Sequence, residues 1–404
     1  MATVNCGRLD VRTVTGRSSG SAEDGIDPTT LGDDVRSLAR DLVAIPSHTD
    51  ERAAGDAIAA WLRDRTDADV RRDDAGNVVA RRDPAGSYAS ADGADDPPTL
   101  ALVGHHDVVP PADRQVDDAG GYVLDERDGR LYGRGSADMK GAVAAAMCAF
   151  RDADPACELV FASFVGEEDG GVGCQAAIEA GFGPDFAVVG EGSTNYSGPD
   201  VTDVAVAHRG RRGSTLVARG TAAHASEPGA GENAVYRACD AVDVVRDLDA
   251  PTVEVLGHRV SGSVAVTEID GGEAWNVVPD RCEVTVDERT VPGERANLAR
   301  VEAVEGVEWV VDQDLPPMAC DDAAFADLVL GAASDAQTGD PDLVTKPHAT
   351  DAGWLAAAGT TCVVCGPAEP GEAHTDDESV SLATLDRCYG IYLRAAERVG
   401  RAAD

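Results

Sequence analysis

Five short motifs in this chain could do chemistry together. In chain order they are Gly104-His105-His106-Asp107, Gly135-Ser136-Ala137-Asp138-Met139-Lys140-Gly141, Gly166-Glu167-Glu168, Gly190-Glu191-Gly192 and Glu372-Ala373-His374. His105 and His374 can supply imidazole nitrogens, and Asp138, Glu168 and Glu191 carboxylate oxygens. Such a set can hold a pair of divalent cations, with one carboxylate spanning both. Only one of the tandem glutamates is required as a ligand, which leaves Glu167 available as a general base toward water. Asp107, two residues beyond His105, could orient that imidazole from behind. Taken singly, each motif has an ordinary reading: a satisfied polar His, a turn Asp, a solvated acidic cap on a strand. All five, however, fall where an apolar run meets a Gly-rich turn, the place where an α/β protein keeps its active site.

The elements that must position them follow from hydrophobic periodicity. Helices are expected from about Gly32 to Ile45 and from Glu51 to Asp64, and another begins near Lys140 with Val143, Met147 and Phe150 on one face. Apolar strands at Leu100 to Gly104, Leu159 to Val165 and Phe186 to Val189 alternate with helices, which implies a mostly parallel sheet covered on both sides. Asp83 to Pro98, rich in Asp, Ala, Gly and Pro, reads as a solvated loop. After about Val201 the pattern changes to strands at Asp203 to His208, Ser214 to Arg219, Ser263 to Ile269 and Cys282 to Glu288, with a helix from about Asn233 to Leu248. A short helix near Arg295 to Val301 and a strand to Val311 follow. This run predicts a small α+β insert with an antiparallel sheet. The expected organisation is a tail at 1–30, a catalytic α/β domain at 31–201 and 313–404, and an inserted domain at 202–312.

Charge narrows the setting. The chain carries 73 acidic residues against 34 basic ones, a net charge of −39 over 404 residues, and only two of the basic residues are lysine, Lys140 and Lys346. Such a load repels itself unless salt screens it, and the Debye length falls to about 3 Å at 1 M. A salt-rich cytoplasm, as in a halophilic microbe, is the expected environment. The same charge argues against nucleic acid or an anionic membrane as partner. No apolar run approaches the ~20 residues of a membrane span. Residues 1–30 lack the apolar stretch of a secretory signal and read as a disordered tail. Ten cysteines scattered through helices and strands, Cys362 and Cys365 among them, read as buried thiols in a reducing compartment.

With these motifs in order, the chain resembles the co-catalytic metallopeptidase family of aminoacylases, acetylornithine deacetylase, succinyl-diaminopimelate desuccinylase and glutamate carboxypeptidase. The resemblance runs from about Asp33 to Arg401. It is carried by Gly104-His105-His106-Asp107-Val108-Val109-Pro110 and Gly133-Arg134-Gly135-Ser136-Ala137-Asp138-Met139-Lys140-Gly141. It implies that His105 and Glu191 bind one metal, that Glu168 and His374 bind the other, and that Asp138 bridges both. It also implies that Glu167 is the base, that Asp107 is the partner of His105, and that the Asp138-Met139 peptide is cis. His106 stands where the family often has Thr, Met or Leu. In the insert, Gly220-Thr221-Ala222-Ala223-His224-Ala225-Ser226 resembles a lid segment whose histidine reaches the other protomer's site, so a homodimer is implied. Asn276 resembles a residue facing the substrate, and Arg289 one that holds a substrate carboxylate.

The chemistry so implied is hydrolysis of an amide, with His224 steadying the developing oxyanion. Zinc is the default metal, with cobalt or manganese able to use the same ligands. Glu at position 191 and the Thr350-Asp351 step resemble the deacetylase and desuccinylase branch, so an N-acyl amino acid is the expected substrate. A carboxypeptidase or dipeptidase acting on small peptides is the alternative, and a non-catalytic binding relative a more distant one.

Overall fold

The computed structural model describes residues 31–84 and 97–401. The tail expected at 1–30 and most of the loop expected between Asp83 and Pro98 lie outside the described residues. At the centre is a nine-stranded mixed sheet. From edge to edge its strands are Asp69–Arg72, Val78–Arg82, Glu158–Phe164, Thr99–His105, Phe186–Val189, Thr361–Val364, Val204–His208 and Met318–Ala319, with Leu343–Lys346 also alongside Val204–His208. The four from Glu158–Phe164 to Thr361–Val364 run parallel to one another.

Those parallel strands are apolar at almost every position because both of their faces are covered. Alternation then sorts the side chains. Leu100, Leu102, Leu159 and Phe161 join one apolar cluster, while Ala101, Val103, Val160 and Ala162 join the other. Helices Val35–Val43, Arg52–Arg65, Gly141–Asp152, Ala323–Ala336 and Leu382–Arg398 close the first face, and Val172–Glu179 with Asp351–Ala357 closes the second. The first helix starts at Val35 rather than Gly32, because the Asp34 side chain accepts from the backbone N–H groups of Arg36 and Ser37 and caps it there. Helix Gly141–Asp152 is buried from Gly141 to Phe150. Its alanines let neighbouring helices approach, and truncating Phe150 to Ala would cost about 3–5 kcal/mol.

Residues 210–315 build a separate four-stranded antiparallel sheet, ordered Ser263–Gly271, Arg281–Thr290, Gly210–Arg219 and Val307–Leu315. Helix Ala234–Arg246 and the tight turn Leu298–Ala303 cover one face around Leu216, Ala238, Ala241 and Val284. One strand departs from the sequence reading. Val204–His208, expected in the insert, is buried at all of its positions and pairs in the large sheet. Its Val-Ala-Val-Ala run has no polar face to offer solvent, so a site covered on both sides suits it better than a half-exposed one. A hairpin also appears, Thr252–Val255 with His258–Ser261, closed by Leu256 and Gly257 at φ 45° and 83°. Two positive φ angles give the two-residue turn that matches strand twist.

Candidate metal centre

The parallel strands deliver the candidate ligands at their carboxyl ends. His105 is the last residue of Thr99–His105, Glu167 and Glu168 follow Glu158–Phe164, and Glu191 follows Phe186–Val189. His374 lies on the connection after Thr361–Val364, with its own backbone at φ 64°. Asp138 arrives from the other direction, in the turn Ser136–Lys140 that leads into the buried helix. The Asp138-Met139 peptide is cis, as the resemblance implied. The Met139 side chain lies beneath two of the motifs. A Cβ added at Gly104 or at Gly190 would come within 2.9 Å of Met139 Cε, so both glycines permit this close approach.

Asp138 is the centre of the cluster. Its Oδ1 is 3.0 Å from His105 Nε2, and its Oδ2 is 3.2 Å from His374 Nε2. Each imidazole has a further carboxylate beside it: Glu191 Oε1 at 3.5 Å from His105 Nε2, and Glu168 Oε1 at 2.9 Å from His374 Nε2. Behind His105, Nδ1 lies 3.0 Å from the Asp107 carbonyl oxygen and 3.3 Å from its carboxylate. Asp107 also accepts from the Glu168 backbone N–H at 3.0 Å, which joins the first and third motifs. The structure thus brings His105, Asp107, Asp138, Glu167, Glu168, Glu191 and His374 into one cluster.

The cluster is starved of positive charge. Burial opposes the His105 cation, yet Asp107, Asp138 and Glu191 outweigh it and hold its pKa well above the ordinary range. Hydrogen bonds that His374 donates to Asp138 and Glu168 lift its pKa to about 10. Burial drives the Glu167 carboxyl well up, with Glu191, Asp351 and Asp138 pushing the same way. Buried carboxylates at this density are costly unless cations accompany them. Donor atoms of His105, Asp138 and Glu168, and of His105, Glu167 and Glu191, form two groups within 4.8 Å. Mixed imidazole and carboxylate donors suit zinc and its neighbours. Both groups draw on His105, and the residues present fit divalent cations.

A cavity of about 620 Å³ opens over the cluster. Asp138, Glu167, Glu168, Glu191 and His374 form its floor, while Arg211, Arg289 and Gln313 of the insert sheet form part of its wall. Arg289 Nε donates to Asp287 at 2.7 Å, and Arg211 Nε donates to the same carboxylate at 2.8 Å. Two guanidiniums share one counter-charge, which leaves a net positive wall facing the cluster. The other two insert residues are elsewhere. His224 is exposed, with Nδ1 at 2.7 Å from Ser226 Oγ, and Asn276 lies next to it through the Ala225 N–H to Asn276 carbonyl bond. Neither lines the cavity. His106 turns away from the cluster altogether. It is buried against Ser163 Oγ at 2.8 Å, and burial lowers its pKa to about 3.

Three supporting residues escaped the sequence reading. Glu378 Oε1 accepts from the backbone N–H groups of Ala137 and Asp138, and its Oε2 accepts from Arg134 at 2.5 Å, so a buried pair fixes the Asp138 turn. Lys346 donates to Glu191 Oε2 at 3.0 Å. The only signals were Arg134 inside a Gly-rich motif and the rarity of lysine.

Fold and site together define a metal-dependent hydrolase built on a mixed α/β sheet with an inserted second sheet. Residues 101–398 match the family described as Peptidase family M20/M25/M40, and the chain belongs to that family. It is 32% identical over 349 residues to an acetylornithine deacetylase of Myxococcus xanthus, covering 80% of this chain and 85% of that one. It is 29% identical over 394 residues to a succinyl-diaminopimelate desuccinylase of Bordetella avium, covering 90% and 98%. Among solved structures, aminopeptidase PepT from Bacillus cereus superposes with a TM-score of 0.71 at 18% identity, over 92% of this chain and all of that one. A Bacillus subtilis member described as a dinuclear metal binding peptidase superposes with a TM-score of 0.63 at 16% identity, over 89% and 96%.

Proposed function

We propose that this protein hydrolyses the amide bond of N-acyl amino acids, of the acetylornithine or succinyl-diaminopimelate type, with two divalent cations held by the strand-end cluster. The observation that carries the two-cation reading is Asp138, whose two oxygens face two different imidazoles, each flanked by a further glutamate. In this assignment His105 and Glu191 would hold one ion and His374 and Glu168 the other, with Asp138 placed to serve both. Zinc is the favoured metal. When bound, such ions lower the pKa of water and polarise a carbonyl.

The chain's own residues supply the rest. Glu167 lines the cavity and is not needed as a ligand, so it takes the proton of the attacking water and delivers it to the leaving amine. Arg289, in the positive wall, holds the substrate carboxylate. His224 stands away from its own chain's cavity, which supports a role over the site of a second copy in a homodimer, where it steadies the oxyanion. Asp107 keeps the His105 ring oriented. The deacetylase and desuccinylase relatives favour an N-acyl amino acid.

The test is hydrolysis of a panel of N-acyl amino acids and dipeptides, with metal content measured alongside. Cleavage of an acylated amino acid that chelator abolishes and zinc restores is expected. Peptide cleavage alone would reassign the substrate, and activity that persists without metal would end the two-cation reading.

We also place the protein in a reducing, salt-rich cytoplasm. Nine cysteines among the described residues are free, and all but Cys239 are buried. No helix among the described residues is long and apolar enough to cross a membrane. The −39 charge should make the fold depend on molar salt. Circular dichroism across a KCl series checks this, and a melting temperature that does not change with salt contradicts it.

A further inference from the structure

The two oxygens of Glu191 have different neighbours. Oε1 faces His105 Nε2 at 3.5 Å, whereas Oε2 accepts from Lys346 Nζ at 3.0 Å. Both side chains are nearly closed to solvent, 7% exposed for Lys346 and 11% for Glu191. Lys346 ends the short strand Leu343–Lys346, whose backbone is held parallel to Val204–His208, so the ammonium is carried by the large sheet rather than by a loop.

Composition marks the same residue. Of the lysine and arginine side chains in this protein all but two are arginine, and both lysines are buried, Lys140 at 1% and Lys346 at 7% exposure. An ammonium is a compact point charge with three donors, while a guanidinium is a broad planar fork. At Lys346 the small group meets a single carboxylate oxygen and leaves the other uncovered.

We propose that Lys346 is a positioning residue for the metal cluster. It holds Glu191 Oε2 and thereby presents Oε1 alone to the cation shared with His105. This rests on the two-cation reading above. Two effects compete when the ammonium is removed. Charge alone predicts tighter cation binding, because a positive group near the site has gone. Positioning predicts weaker binding, because Glu191 loses the partner that aims it. Removing the ammonium from this pair leaves Glu191 with an unbalanced charge as well as no partner to aim it, so the two effects oppose each other and the sign of the change in cation affinity separates them. Loss of a partner that orients a metal ligand typically costs about 10–100-fold in affinity or activity.

The experiment is calorimetric titration of zinc into metal-free wild type, Lys346→Met and Lys346→Gln, with cobalt absorption spectra of the same proteins. One of the two binding events in Lys346→Met should weaken by about 10–100-fold while the other holds, and the cobalt bands should change. Lys346→Gln keeps an N–H donor and should lose less. Unchanged or tighter zinc binding in Lys346→Met overturns the proposal. If that variant does not fold, a metal-loaded crystal structure of the wild type decides the matter. Glu191 giving both oxygens to the metal, with Lys346 turned elsewhere, overturns it, and one oxygen on each partner supports it. A wild type that binds no zinc sinks the two-cation reading itself, a result distinct from either.

Discussion

The strand-end cluster and the insert solve the placement of functional groups in opposite ways. The cluster gathers seven side chains from the ends of parallel strands and one turn, with His105, Asp107, Asp138, Glu168, Glu191 and His374 linked by direct contacts and Glu167 beside His105 and Glu191. The insert carries its three candidates at separate places. Arg289 faces the cavity, while exposed His224 and half-buried Asn276 sit by a separate two-stranded ladder, Ala223–His224 with Val277–Val278, and do not line it. A single rigid sheet can complete a cation site within one chain. The neighbouring sheet puts Arg289 on the cavity wall and leaves His224 and Asn276 off it, and the proposed use of His224 by a second copy rests on that difference.

The largest effect should come from the tandem glutamates. Glu167→Gln removes a base and no ligand, so it should keep the metal content and lose about 10²–10⁴-fold in turnover. Glu168→Gln removes the carboxylate beside His374 and should lower metal content first. Parallel metal analysis and initial rates separate the two, and near-normal turnover in a metal-replete Glu167→Gln would reverse their roles.

Next is the support beneath Asp138. Arg134 and Glu378 are buried at 3% and 0% side-chain exposure, and among the described residues no other cation pairs with Glu378. Arg134→Met therefore leaves a buried carboxylate uncompensated and should cost about 3–5 kcal/mol of stability. Denaturant unfolding measures it. A loss under 1 kcal/mol, on the order of a surface pair, would mean that the Asp138 turn holds without this pair.

Much of the cluster was legible because an apolar run ending in glycine marks the end of a buried strand, and because acidic or histidine residues repeat at such ends. What was hidden is instructive. Glu378 follows Asp376 and Asp377 and looks like the end of a solvated acidic run, yet the N–H groups of Ala137 and Asp138 draw it inside. Lys346 is 155 residues from Glu191, and no local pattern links them. The strand Val204–His208 reads as an alternating insert strand when Asp203 and His208 are counted as its polar positions, yet all five of its residues are buried in the large sheet. Where Arg289 faces and where His224 does not could not be read from spacing at all, since that depends on how one sheet sits over another.

The insert's outward corner leads to a mixing test. His224→Ala and Glu167→Ala, each first shown to be nearly inactive, are unfolded and refolded together. If His224 serves the partner's site, random pairing makes about half the dimers mixed, each with one intact site in two, so about a quarter of wild-type activity should return. A mixture as inactive as its components would return His224 to its own chain or remove it from the mechanism.

The smallest effect concerns two adjacent histidines, and it tests whether the sheet alone assigns their roles. His105 points into the cluster, whereas the side chain of His106 goes to the opposite face, as strand alternation requires. There His106 Nδ1 meets Ser163 Oγ at 2.8 Å. Gly55 on helix Arg52–Arg65 leaves room for the ring, since a Cβ there would lie 3.1 Å from His106 Nε2. Burial keeps the ring neutral, with a pKa of about 3, so it brings no charge to the cluster. His106→Gln retains a polar partner for Ser163 and should cost only about 1 kcal/mol in stability. Metal content and turnover should match wild type, whereas His105→Gln should empty the ion site shared with Glu191. Loss of metal from His106→Gln would show that the second face of the strand also reaches the cluster, and the separation of roles by alternation would fail.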